Sequence, residues 1–174
     1  RIIKNYDLAA VKMEVSRNSL PDIKFLNEIR EITNKKKIIL IFDECTSGFR
    51  QNFGGIHKFY NIIPDIAVFG KSLGNGFAIT AVVGKKKIMR SSTNSFISST
   101  FWSERVGYVA ALETLKQMNK TKSWNKISKL GNYFRERIKL IAIENDIEIE
   151  VKGLLAIPVF LIKNDTKNIY KTFI

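Results

Sequence analysis

The sequence predicts an α/β fold in which a mostly parallel sheet lies between helices, and two observations support this prediction. Short, continuously apolar runs at residues 38–42 and 66–69 have the length and composition of strands in a parallel sheet. The run at 38–42 follows a segment with apolar residues three or four apart, and an earlier apolar run lies at residues 8–13. A helix is therefore predicted between these two strands. At 174 residues, the chain is long enough to bury a core.

The first elements follow from apolar patterns and capping residues. Residues 8–13 are apolar enough for a strand that ends before Glu14. Ser19 and Asp22 are spaced as a capping pair with Pro21 in the first turn, which predicts the start of a helix. One face of this helix carries Ile23, Leu26, Ile29 and Ile32. Residues 38–42 follow as a strand whose unbroken apolar character predicts burial on both faces.

The rest of the chain continues the alternation. A long connection with a short helix near residues 58–62 leads to the strand at 66–69, and another strand is predicted at 78–83. Ser103 is positioned to cap the next helix. The last predicted elements are a helix at 124–144 and two strands, 147–151 and 154–162, on either side of Gly153. We expect a domain boundary near residues 120–123, which divides the chain into residues 1–120 and 121–174.

The formal net charge of +13 leaves a second class of function open. It arises from 29 basic and 16 acidic residues, and the lysines are scattered through a chain also rich in isoleucine and asparagine. This pattern is more typical of a composition bias than of a nucleic-acid surface, although a basic anion- or nucleic-acid-binding α/β module remains the alternative. Salt-dependent retention on DNA would favour that alternative. No apolar run approaches the length of about 20 residues that a membrane span needs, which predicts a soluble protein.

A lysine set between glycines is the strongest motif. Residues 69–76 read FGKSLGNG, and Lys71 follows the apolar run at 66–69. A phosphate-binding P-loop would need glycine where Asp65 stands, and a dinucleotide fingerprint would need a small residue where Ile79 stands. Neither motif fits. Asp43 lies 28 positions before Lys71 (71 − 43), close to one strand, crossover and strand, so both residues should meet at the carboxyl edge of the sheet.

Several segments together resemble the class III aminotransferases. They are residues 41–50 (IFDECTSGFR), 54–60 (GGIHKFY), 64–65 (PD) and 69–76, and they are most similar to the glutamate-1-semialdehyde aminomutase branch. The resemblance implies the large domain of a fold-type I enzyme dependent on pyridoxal 5'-phosphate, followed by the start of an α+β small domain. It also implies that the chain is an internal fragment of a longer enzyme, without turnover when isolated.

The resemblance implies roles for residues at these strand ends. Lys71 would form a Schiff base with the cofactor aldehyde, and a partly buried site would favour its unprotonated amine. Asp43 would hold a proton on the pyridine nitrogen, so that the ring accepts electrons. Glu44 competes for this role, but strand alternation sends it to the opposite face. Cys45 would pack against the ring as a small apolar side chain, and Thr46 would lie near the ring hydroxyl.

The resemblance also extends to residues outside these segments. Thr100 falls where the family has a threonine that reaches the cofactor phosphate of a neighbouring subunit, which implies a homodimer with shared active sites. Glu14 falls at a family glutamate, but Val15 replaces the proline that follows it in the family. His57, the single histidine, has no evident partner in the sequence and is expected to make a polar loop contact. With one histidine and one cysteine, no transition-metal site is expected.

The function that follows is amino-group transfer on a small amino or carbonyl substrate. The reaction can run within one molecule, as in an aminomutase, or between a donor and an acceptor, as in a transaminase. A catalytically inactive family member is a further alternative. One cysteine cannot form an internal disulfide, which is compatible with the cytoplasmic location that we expect.

Overall fold

The computed structural model describes residues 6–163 and has the predicted α/β architecture. Its main sheet has four strands in the order β1 (Ala10–Glu14), β2 (Ile39–Asp43), β3 (Ile66–Phe69) and β4 (Ala81–Gly84). The first three strands are parallel and β4 is antiparallel to β3. The helices are α1 (Ile23–Lys36), α2 (Lys86–Met89), α3 (Arg105–Thr121) and α4 (Ser123–Glu144). A separate hairpin joins β5 (Ile149–Leu154) to β6 (Ile157–Ile162).

Helix α1 confirms the predicted helix and corrects its cap. The Asp22 carboxylate accepts hydrogen bonds from the backbone N–H groups of Lys24 and Phe25, at 2.9 and 3.3 Å, and is therefore the N-cap. The prediction that Ser19 shares the cap, with Pro21 in the first turn, is wrong, because the helix begins at Ile23 and both residues precede the N-cap. Among the described residues, no helix is both long and apolar enough to cross a membrane.

Two groups of buried side chains form the core. Leu26 and Ile29 of α1 pack with Leu40 and Phe42 of β2 in the first group. The second joins α3 to the end of β3 and consists of Phe49, Ala67, Phe69, Leu73 and Ala111. Because Phe42 pairs with Ala67 in the parallel register, the buried strand residues of both groups lie on one face of the sheet.

The other face of the sheet differs from the prediction. Leu40 and Phe42 are fully buried, whereas Ile39, Ile41 and Asp43, which alternate with them, are half-buried. The predicted burial on both faces is therefore correct for only one face among the described residues. This half-buried face matters for the site, because Asp43 belongs to it.

Three further details differ from the prediction. Glu104, not Ser103, is the N-cap of α3, and it makes no side-chain capping bond. Gly153 lies inside β5 with a φ of 80°. Since β5 ends at Leu154 and β6 begins at Ile157, the hairpin turn falls at residues 155–156 rather than at Gly153. Gly131 of α4 is necessary for packing, since a Cβ there would collide with the carbonyl oxygen of Leu155. The short helix expected near residues 58–62 is a single turn of 3₁₀ helix at Ile56–Lys58.

Candidate active site

The carboxyl ends of β2 and β3 lie side by side and carry the residues singled out above. Asp43 is the last residue of β2 and pairs with Val68 of β3. The backbone N–H of Glu44 extends this pairing by donating a hydrogen bond to the Val68 carbonyl at 2.8 Å. Lys71 follows the end of β3 by two residues, so the predicted strand, crossover and strand between Asp43 and Lys71 is correct.

Lys71 has an unusual backbone conformation. Its φ is 44°, in the left-handed region that residues with a side chain seldom occupy. The Lys71 carbonyl accepts hydrogen bonds from the N–H groups of Gly74 and Asn75, at 3.2 and 3.1 Å, which close the tight turn Lys71–Leu73. Such a conformation costs about 1 kcal/mol or more, and backbone strain of this kind is concentrated at functional sites.

The side chain of Lys71 connects the loop after β2 with an open cleft. Its Nζ donates a hydrogen bond to Thr46 Oγ1 at 2.8 Å. The cleft has a volume of about 990 Å³, and its lining includes Lys71, Phe77, Ile79, Phe101 and Tyr108. Lys71 is exposed, so the expectation of a partly buried lysine is not met by the described residues. Asp43, Cys45 and Thr46 do not line the cleft, and Thr46 reaches it only through Lys71.

Asp43 has a partner on each carboxylate oxygen. Oδ1 accepts a hydrogen bond from the backbone N–H of Cys45 at 3.1 Å, and Oδ2 lies 3.1 Å from Lys12 Nζ. Burial by itself raises the pKa of Asp43, but the hydrogen bonds from Cys45 and Lys12 outweigh it, so the pKa lies below its ordinary value. Asp43 is therefore held as a carboxylate, the form required to pair with a cationic partner.

Cys45 behaves as a packed side chain rather than as a nucleophile. Burial raises the pKa of its thiol, as do the hydrogen bond and the negative charge of Asp43, and the charge of Lys71 only partly opposes them.

Thr100 is exposed and is not among the residues that line the cleft of Lys71. The structure thus brings Asp43, Cys45, Thr46 and Lys71 together and leaves Thr100 apart.

Glu44 turns away from Asp43, as strand alternation predicts, and organises the following loop. It is fully buried, and its carboxylate accepts hydrogen bonds from the backbone N–H groups of Ile56 and His57, both at 2.9 Å, and from the Ser47 hydroxyl. His57 Nδ1 lies 2.7 Å from Glu44 Oε1. The expected polar loop contact of His57 is therefore confirmed.

Two interactions of this region were not predicted from the sequence. The contact of Lys12 was missed, although a charge that interrupts the apolar run at residues 8–13 is a signal that could have revealed it. The pairing of Glu44 with His57 spans 13 positions and depends on how the loop folds back, for which the Gly54-Gly55 pair is the only local sign.

The donor set matches what pyridoxal phosphate needs. A carboxylate suits the ring nitrogen, a primary amine suits the aldehyde, and a hydroxyl suits the ring oxygen. Asp43, Lys71 and Thr46 supply these three groups at neighbouring strand ends. The buried Ser72 hydroxyl has no hydrogen-bond partner within the described part of the chain, which leaves a further polar group available beside Lys71.

Comparison with known proteins places the chain among related sequences. Residues 15–174 match the family model described as aminotransferase class-III. The chain is 33% identical over 153 residues to the 3-aminobutyryl-CoA aminotransferase of Cloacimonas acidaminovorans, covering 87% of this chain and 37% of that protein. It is 36% identical over 159 residues to the glutamate-1-semialdehyde 2,1-aminomutase of Methanosphaera stadtmanae, covering 87% of this chain and 36% of that protein. The chain thus spans just over a third of the length of these curated relatives.

Solved structures share the fold over most of the chain. The FumI protein of Sphingopyxis sp. MTA144, in its pyridoxal phosphate internal aldimine form, superposes with a TM-score of 0.88 at 24% identity. That match covers 93% of this chain and 41% of the FumI chain. An omega-transaminase from Sphaerobacter thermophilus superposes with a TM-score of 0.80 at 25% identity, covering 95% of this chain and 40% of that one.

Proposed function

The chain belongs to the class III aminotransferases, and from this premise we propose that the full-length protein transfers amino groups with pyridoxal 5'-phosphate as its cofactor. The family and its structural relatives support that cofactor. The observation that carries the proposal is the meeting of Asp43 and Lys71 at adjacent ends of parallel strands, where α/β sheets bind ligands.

Each residue has one task in this proposal. The bound cofactor supplies an aldehyde and a ring that accepts electrons. Lys71 would hold this aldehyde through its amine, and the amine, once freed by substrate, would move a proton at the substrate α-carbon. The Asp43 carboxylate holds the proton on the ring nitrogen. Thr46, whose hydroxyl accepts a hydrogen bond from Lys71, would contact the ring oxygen, and Cys45 would pack beside the ring.

The substrate is a small molecule with an amino or carbonyl group, and two reaction types fit. The two curated relatives are named as an aminotransferase and an aminomutase, and their identities to this chain are similar. An aminomutase converts its substrate with no external amino donor, whereas a transaminase stops after one half-reaction without an acceptor. Turnover of a single substrate, measured with and without an added amino donor or carbonyl acceptor, separates the two reaction types.

We further propose that the protein is a cytoplasmic homodimer in which Thr100 contacts the cofactor phosphate of the neighbouring subunit. Thr100 is exposed and lies between apolar side chains that are also exposed, Ile97, Phe101 and Trp102. An apolar surface of this kind is typical of an interface. The cleft beside Lys71 is lined by these three residues, so a second subunit seated there would come close to the site.

Borohydride reduction tests the assignment of Lys71. We expect the purified full-length protein, incubated with pyridoxal phosphate, to show a visible absorption band and, after reduction, to carry the cofactor on a peptide that contains Lys71. Lys71→Ala should lose both the band and the modified peptide. Lys139→Ala, which removes an exposed lysine paired with Glu136 on α4, should keep both. A band that survives Lys71→Ala would refute the assignment.

A further inference from the structure

Lys12 and Glu14 are the two charged residues of β1, and the sheet register explains which residue Lys12 meets. On β1, Lys12 pairs with Ile41 and Glu14 pairs with Asp43 of the neighbouring parallel strand. Side chains two residues apart on a strand point to the same face, so Lys12 and Asp43 share the half-buried face of the sheet. Their charged groups are 3.1 Å apart, from Lys12 Nζ to Asp43 Oδ2.

The two partners differ in exposure. The side chain of Lys12 is 60% exposed, whereas that of Asp43 is 22% exposed. Lys12 can therefore move into solvent, while the carboxylate stays in place because the backbone N–H of Cys45 holds its other oxygen at 3.1 Å. Asp43 is thus the fixed member of the pair and Lys12 the exchangeable one.

We propose that Lys12 is a positioning residue that competes with the ring nitrogen of the cofactor for the carboxylate of Asp43, and thereby weakens cofactor binding. The inference rests on the proposed role of Asp43. The ammonium of Lys12 and a protonated ring nitrogen are both cations attracted to the same carboxylate, and Lys12 already lies against Oδ2 while the Cys45 N–H takes one acceptor site of Oδ1.

The charge balance supports competition. Because burial raises the pKa of Asp43 and the hydrogen bonds from Cys45 and Lys12 more than offset it, part of the carboxylate's negative potential is already neutralised before any ligand arrives. A second cation must then share or displace Lys12 and is repelled by it at short range. Without Lys12, the whole charge of Asp43 would be available to the ring nitrogen.

The test compares the full-length protein with its Lys12→Met variant. The dissociation constant is measured by protein fluorescence for pyridoxal phosphate and for its carbocyclic analogue, in which C–H replaces the ring nitrogen. We expect Lys12→Met to bind pyridoxal phosphate about three- to fivefold more tightly, the range for one partly exposed ion pair. Affinity for the analogue should not change, since it has the same phosphate but nothing that requires Asp43.

Two control variants separate charge from packing. Lys12→Arg keeps the cation and should bind pyridoxal phosphate as the wild type does. Lys24→Met removes another exposed lysine, which pairs with Glu28 on α1, and should leave both affinities unchanged. Equal gains for pyridoxal phosphate and the analogue, or no gain for either in Lys12→Met, would overturn the proposal.

Asp43→Asn distinguishes failure of this inference from failure of the proposed function. If Asp43→Asn weakens binding of pyridoxal phosphate but not of the analogue, Asp43 contacts the ring nitrogen, and Lys12→Met added to that variant should then have no further effect. If Asp43→Asn matters while Lys12→Met alone does not, only the role of Lys12 is wrong. If Asp43→Asn changes neither affinity, both assignments are wrong.

Discussion

At the scale of single residues, two adjacent acids have separate tasks because a strand alternates its side chains. Asp43 points to the half-buried face, where Lys12 and the backbone of Cys45 hold it. Glu44 points to the other face, where it is fully buried and its carboxylate accepts hydrogen bonds from the backbone N–H groups of Ile56 and His57. Asp43 therefore remains available at the site, while Glu44 fixes the loop that carries Thr46 on one side and His57 on the other.

Replacing Glu44 should destabilise the protein strongly. In Glu44→Gln, one of the two carboxylate oxygens becomes an NH2 group, so either the Ile56 N–H, bonded to Oε2, or the His57 N–H, bonded to Oε1, loses its acceptor and is left buried and unpaired. We expect a loss of about 2–4 kcal/mol in the free energy of unfolding, measured by urea denaturation of the full-length protein. The matched control, Glu28→Gln on the exposed face of α1, should change it by about 0.5 kcal/mol or less. A similar small change for Glu44→Gln would contradict this account.

At the scale of elements, the Asp65 carboxylate contacts helix α1, strand β2 and the residue after β4, at the end of the sheet away from the site. Its Oδ2 accepts hydrogen bonds from the Leu40 backbone N–H of strand β2, at 2.8 Å, and from Arg30 of α1, at 3.0 Å. Its Oδ1 lies 2.6 Å from Nζ of Lys85, the residue after β4. Burial raises the pKa of Asp65, but the hydrogen bonds from Leu40, Lys85 and Arg30 outweigh it and lower the pKa overall.

This lowered pKa predicts a defined dependence of stability on pH. Because the pKa of Asp65 is lower in the folded state than in the unfolded state, its contribution is complete above the unfolded pKa, about 3.9, and is lost as the pH falls through the folded pKa. Urea denaturation of the wild type and Asp65→Asn should therefore differ by about 1–3 kcal/mol at pH 6 and converge below about pH 4. A difference that stays constant down to pH 2 would show that the charge of Asp65 is not responsible.

The sequence predicts the order of strands and helices well, because apolar periodicity reports which faces are buried. It fails at caps and turns. Ser103 and Glu104 are adjacent polar residues, and only backbone geometry decides which one begins α3. It also misses contacts between distant positions, since the pairing of Lys12 with Asp43 requires the register of two strands. The motif around Lys71 predicted the strand ends that carry the candidate site, but not the exposure of that lysine.

At the scale of the whole molecule, the hairpin packs against the sheet. Leu154 of β5 is buried in the same core group as Leu40 and Phe42 of β2, so the last strands share the core of the first. The junction between α3 and α4 is a single left-handed residue, Lys122, with a φ of 50°. The boundary predicted between residues 1–120 and 121–174 falls beside this turn and remains a prediction.

A group of exposed apolar side chains lies beside the cleft of Lys71, and it leads to the prediction that concerns assembly. These side chains are Phe77, Phe96, Ile97, Phe101 and Trp102, and Phe96 is 97% exposed. Exposing several large apolar side chains to water is unfavourable, and their burial against a second subunit would favour association. We therefore expect the full-length protein to be a dimer in sedimentation velocity experiments.

The double variant Phe96→Ser, Trp102→Ser should weaken that dimer by about tenfold or more, because aromatic side chains supply a large share of the binding energy at interfaces. It should also weaken the binding of pyridoxal phosphate, since Thr100 lies between the two changed positions and is proposed to contact the partner's cofactor. Ile143→Ser, at an equally exposed position on α4, should affect neither property. If the double variant remains dimeric with unchanged cofactor affinity, the subunit interface lies elsewhere and Thr100 has no role in binding the phosphate.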